Sequence, residues 1–128
     1  MVKGDWLDLT VLERRRYNLL SEVMDLSQQL GEALDRNDRV TLKMLVAMRQ
    51  DPITRLEEVQ AAVRERRAEL PAGDQERVSA LDGGAPPRGE DEQTYQTQAG
   101  SARRLLERVI DLDRRLNKRL ARGNSVYE

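Results

Sequence analysis

The sequence predicts an all-α fold: an elongated antiparallel helical hairpin plus a third long helix, a coiled-coil-like three-helix bundle forming one domain over residues 1–128. Three observations lead there. Apolar residues recur at the 3.5-residue spacing of packed helices, as in Leu12, Leu19, Leu26 and Ala33 with Val23 and Leu30 between them. Hydrophobic content is 38% but aromatic content only 3%, with no Phe, so burial must come from Leu, Val, Ile, Ala and Met, which suits thin bundles. The length of 128 residues allows one domain with a modest core.

The first helix is expected from about Trp6 to about Arg36. "TVLE" at 10–13 has the form of a capping box, so the start falls there or a turn earlier at Asp5. A helix of this extent is roughly 45 Å long, which demands an elongated hairpin rather than a globule. Leu20 and Met24 widen its apolar stripe. "DRNDR" at 35–39 then reverses the chain, with Asn37 suited to a left-handed C-cap and Asp38 to the next N-cap.

The second helix, 39–70, carries Leu42, Leu45, Val46, Ile53, Leu56, Val59 and Val63 on one stripe, while Met44 and Met48 lie off it. Pro52 removes one backbone donor and crowds the Met48 carbonyl. The helix therefore either kinks there or restarts with Asp51 as N-cap; the apolar phase continues across Pro52, which favours the kink. Residues 71–90 are rich in Gly, Pro and acids and read as a flexible loop. Within it "DQERVSAL" has the makings of a short helix with Val78 and Leu81 inward.

A third helix is expected over 91–122, ending at "GN", with Lys118, Arg119 and Arg122 complementing its C-terminal dipole. On its wheel Leu105, Val109, Leu112, Leu116 and Leu120 share a narrow stripe that Leu106 and Ile110 extend to one side. That face is broader than one seam requires, which points to a second contact surface. Asp113 and Asn117 sit on its flank, where a polar residue either fixes register and partner identity or marks the stripe's wet edge.

Residue chemistry narrows function to binding or scaffolding. The formal charge is −1 and the pI about 5.7, so no global field attracts nucleic acid or an anionic membrane. With neither Cys nor His, most catalytic, metal and cofactor templates fail, and no enzyme activity, metal or cofactor is expected. The basic clusters "ERRR" (13–16), "RERR" (64–67), "ARR" (102–104) and "DRRLNKR" (113–119) are interleaved with acids and read as solvated helix faces, laced by pairs such as Asp111 with Arg115. Asp111 with Asp113, and Glu57 with Glu58, are too close in sequence to converge on one substrate from a helix. Gly83, Gly84 and Gly89 lack the flanking residues of a phosphate loop. Trp6 and Tyr17 read as staples at the hairpin ends or as interface anchors. No signal-peptide h-region is present at the N-terminus, and "LKMLVAM" is too short to span a bilayer, so a cytoplasmic location is expected.

The segment "YNLLSEVMDLSQQLGEALDRNDRVTLKMLVAMRQDPITRLEEV" resembles the first helical hairpin of bacterial flagellar export chaperones of the FliT and FlgN type, and "LLERVIDLDRRLNKRL" resembles their late helix. The resemblance implies a cytoplasmic chaperone that holds a secreted flagellar subunit before type III export by receiving an amphipathic helix on an apolar stripe. It points to Val109, Leu112, Leu116 and Leu120 as partner-facing, flanked by Asp113 and Asn117. The competing class is a structural coiled coil whose surplus apolar area closes a homodimer.

Overall fold

The computed structural model describes residues 1–127, with side chains described through Arg122, and every regular element among them is helical. The order is α1 (Lys3–Asp35), α2 (Arg39–Ala68), α3 (Ala72–Asp82) and α4 (Glu90–Tyr127). At 33 residues α1 is about 50 Å long, and it is the central rod. α2 and α4 both pack along it, their backbones further from each other than from α1, while the short α3 closes one end against α4.

α1 begins before the expected capping box. Thr10 lies inside the helix and donates its hydroxyl back to the Trp6 carbonyl at 2.7 Å, so it cannot cap, and Glu13 is left free to turn into the core. The reversal after α1 follows the sequence closely. Asn37 takes φ 54°, and the Asp38 and Asn37 amides donate to the carbonyls of Ala33 (2.9 Å) and Leu34 (3.2 Å), the paired bonds of a Schellman cap. Asp38 then starts α2 by accepting from the Thr41 amide at 3.1 Å and the Thr41 hydroxyl at 2.6 Å.

These bonds hold the Asp38 carboxyl below its ordinary value of 3.8, chiefly through the Thr41 hydroxyl. A depressed folded value means stability that is present above the ordinary value and lost as pH falls through the folded one. Asp38→Ala is therefore expected to lower Tm at neutral pH, with the deficit shrinking as both proteins are acidified below the aspartate range; parallel melts from pH 7 to pH 2 check this.

α2 continues through Pro52, which is buried, so the stop-and-restart alternative does not occur. The expected flexible loop over 71–90 is replaced by α3 and a pinned connection. Val78 and Leu81 supply the burial that order requires, both at 1% exposure or less. Gly84, at φ 98°, closes α3 as Asn37 closes α1, with Ala85 and Gly84 amides donating to Ala80 and Leu81. Gln96 then donates to the carbonyls of Leu81 (2.9 Å) and Ala85 (2.8 Å), and Arg77 to that of Pro86 (2.9 Å). The Gly-Pro composition concealed these side chains from α3 and α4. α4 also runs past "GN" to Tyr127, because one glycine inside a helix costs only about 1 kcal/mol and does not force a stop.

The core falls into three apolar clusters along the rod. Trp6, Leu9, Leu70, Val78, Leu81, Tyr95 and Ala99 form the first, with the Trp6 and Tyr95 rings 5.6 Å apart. Leu20, Val23, Leu56, Leu105 and Val109 form the second, and Leu30, Ala33, Leu45 and Leu116 the third. Polar layers separate them: one at Glu13 and Arg16, the other at Ser27 and the Arg49–Asp113 ion pair.

Candidate functional site

The buried face of α1 is Trp6, Leu9, Glu13, Arg16, Leu20, Val23, Ser27 and Leu30, spaced alternately three and four residues apart. Two consecutive positions of that seam are charged. Glu13 is 3% exposed and the Arg16 side chain 17%. Opposite them stand Arg67 from α2, Asp82 from the end of α3, and Tyr95 and Arg103 from α4.

Asp82 is the hub of this layer. Its Oδ2 accepts from Arg67 at 2.9 Å, its Oδ1 accepts from the Tyr95 hydroxyl at 2.9 Å, and Arg103 lies 3.6 Å from Oδ1 while donating to the Asp82 carbonyl at 2.9 Å. Tyr95 is 1% exposed, and burial, reinforced by the Asp82 charge, pushes its phenol far above the ordinary tyrosine value. The Glu13 carboxyl is also raised from its ordinary value of 4.5, first by burial and then by Asp82, against the opposing pull of Arg16, Arg67 and Arg103. Its contact with Arg16 is loose, 3.4 to 3.5 Å, and Glu13 Oε2 and Arg16 Nε are both buried with no hydrogen-bond partner.

These groups line a cavity of about 480 Å³ to which all four helices contribute, Val63, Gly83 and Ala99 forming its apolar part. A second cavity of about 570 Å³ lies in the trough between α2 and α4, and Arg16, Val63 and Arg67 line both. Gln60, Arg64, Ala68, Gln75 and Leu106 complete the second.

A different surface feature lies on α2. Val40 is 82% exposed, Met44 54% and Met48 49%, and Ala47 is exposed between them. The spacing i, i+4, i+7, i+8 puts these four on one stripe, about a third of a turn around the helix from the buried residues Leu45, Pro52 and Leu56. The exposed Asp51–Arg55 pair closes it at one end.

The residues expected on the partner face fall elsewhere. Val109 and Leu116 are buried in the second and third clusters at 5% and 3% exposure, and Leu112 is packed against the third. Leu120 is half-buried. The broad α4 face is covered within the chain because it meets α1 while its flank, at Leu106, meets the second cluster; Ile110 alone of the extended stripe is left largely open, at 42%. Asp113 accepts two bonds from Arg49, at 2.8 and 2.9 Å, and so sets the register of α4 against α2 inside one copy. Asn117 is exposed. Trp6 is a staple as expected, whereas Tyr17 is 37% exposed.

The inward charges were legible but misread as solvated. Arg16 and Arg67 are each one half-buried member of a basic cluster whose neighbours Arg14, Arg15 and Arg64 face solvent, while Arg103 is itself exposed and reaches Asp82 from the rim. The signal was the seam itself: counting in threes and fours from Trp6 through Leu9 lands on Glu13 and Arg16 before Leu20. No helix among the described residues is long and apolar enough to cross a membrane. No family model matches the chain, and no curated protein or solved structure matches it.

Proposed function

We propose that this chain is a helical protein-binding module of the chaperone kind, which transiently holds an amphipathic helical segment of another protein on the outward stripe of α2. The observation that carries this reading is the run Val40, Met44, Ala47, Met48, apolar and open in line on a face that no helix among the described residues covers. Two methionines at its centre suit a surface that accommodates an irregular partner, because their unbranched side chains adapt. The resemblance to FliT- and FlgN-type chaperones supplies the class of client, a secreted flagellar subunit awaiting type III export in the cytoplasm, and the docking face is moved from α4 to α2.

Size argues for transient capture over a permanent homodimer. The stripe covers about two turns, some 12 Å, and exposes on the order of a few hundred Å². A standard stable interface takes about 800 Å² from each partner.

A photo-crosslinking residue placed at Met44 in the native cell tests the reading. The expected product is an adduct with one secreted subunit, joined through a helical segment of that subunit and reduced about tenfold or more by Met48→Glu. Met48 is half exposed, so the substitution leaves the circular dichroism unchanged. Adducts only between copies of this chain would replace the chaperone by the homodimer; no adduct would remove the stripe as a docking face.

A further inference from the structure

The geometry points to a second, separate activity: we infer that the polar layer around Glu13 and Arg16 is a binding site for a small oxyanion that also carries a hydroxyl, of the phosphate or hydroxycarboxylate type. The argument is independent of the α2 stripe and shares no residue with it.

The layer is poorly suited to being merely structural. Positions 13 and 16 belong to a seam that Leu9, Leu20 and Val23 fill elsewhere, and leucine there would join the first two clusters into one. The chain instead keeps charged groups around a cavity of about 480 Å³, within the size range of small-molecule sites. Rule-breaking positions of this kind concentrate where a protein does something other than fold.

Charge and unmet bonding capacity then specify the ligand. Three guanidinium groups, from Arg16, Arg67 and Arg103, line the cavity against Asp82, whose two oxygens are already engaged by Arg67, Arg103 and Tyr95. Counting Glu13 as well, two carboxylates face three guanidinium groups, which leaves one positive charge in excess. Buried Arg16 Nε has a proton and no acceptor, and buried Glu13 Oε2 has only the loose 3.4 Å approach of Arg16, which makes no hydrogen bond to it. An oxyanion answers the first through the planar fork of arginine, and a hydroxyl on the same molecule answers the second. Arg67 and Arg103, with side chains 30% and 44% exposed, stand where an anion arriving from solvent meets them first. Arg64, lining the adjoining cavity, offers a further charge to a longer ligand.

The probes are inorganic phosphate and citrate, each titrated into isotope-labelled protein at ionic strength matched with sodium chloride, while the Arg16 Nε–H signal and Tm are followed. A saturable Arg16 shift with a rise in Tm is expected from at least one of them. Response to phosphate alone assigns a phosphorylated ligand, and response to citrate alone a hydroxycarboxylate. Arg16→Gln is expected to weaken binding about tenfold or more, and Arg16→Leu to abolish it, whereas Arg14→Gln, at an exposed position, leaves it intact. The proposal is overturned if neither anion gives a saturable shift at about 10 mM, where a 1 mM Kd is nine-tenths saturated, or if both Arg16 variants respond like the parent protein.

Discussion

Leu112→Asp combined with Leu116→Asp is expected to unfold the end of the bundle that holds Leu30, Ala33 and Leu45, with a loss of more than about 4 kcal/mol. Leu116 is 3% exposed, and Leu112 packs against the same cluster, so two carboxylates would be forced among aliphatic side chains, the nearby Arg115 and Arg119 being already paired with Asp111 and Asp35. Against a total stability typically of about 5–15 kcal/mol, a loss of this size removes much of the folded population. Circular dichroism and a thermal melt check it. Helicity retained by the double variant, with partner capture lost, would instead return these residues to the docking surface.

The second large effect has the opposite sign. Replacing Glu13 and Arg16 together by leucine is expected to stabilise the protein by about 1–4 kcal/mol, the range seen when imperfectly paired buried charges give way to well-packed apolar side chains. Both residues contain a buried polar atom without a hydrogen-bond partner, and both stand in line with Leu9 and Leu20. The gain should depend on pH. The Glu13 carboxyl is raised in the fold, so its ionised form destabilises the native state above the folded value, and protonation relieves this as pH falls through that value toward 4.5. The advantage of the leucine variant is thus largest near neutrality and smaller in acid. Denaturant unfolding at pH 7 and pH 4 measures it; destabilisation at both would show the ion network to be net favourable. Together with loss of anion binding, the stabilisation would identify stability given up for function.

Much of the architecture was written locally. The "DRNDR" turn is legible because Asn and Asp act on their own neighbouring backbone, and the phase of α2 across Pro52 because apolar spacing survives the missing donor. The connection over 83–89 was not legible, since its order depends on Gln96 and Arg77 reaching from other elements. The Thr10 box failed for a related reason: a hydroxyl that fits a cap also fits a bond to the carbonyl one turn back, and packing at Trp6 and Leu9 extended the helix past it.

The candidate sites were harder to read, because the choice between a covered and an open face depends on what lies across from it. The breadth of the α4 stripe is real in the sequence, yet most of it is spent on α1. The spacing sets Met44 and Met48 off the main face of α2, and only the positions of α1 and α4 reveal that nothing among the described residues covers them.

The chain has a single tryptophan, and Trp6 sits in the first cluster, about 36 Å along α1 from Leu30 in the last. Indole emission consequently reports on one extremity alone, whereas ellipticity averages over every turn. Denaturation curves recorded by the two optical signals coincide only if the rod melts as a unit, so the native fluorophore already equips the protein to disclose fraying that starts at its opposite tip.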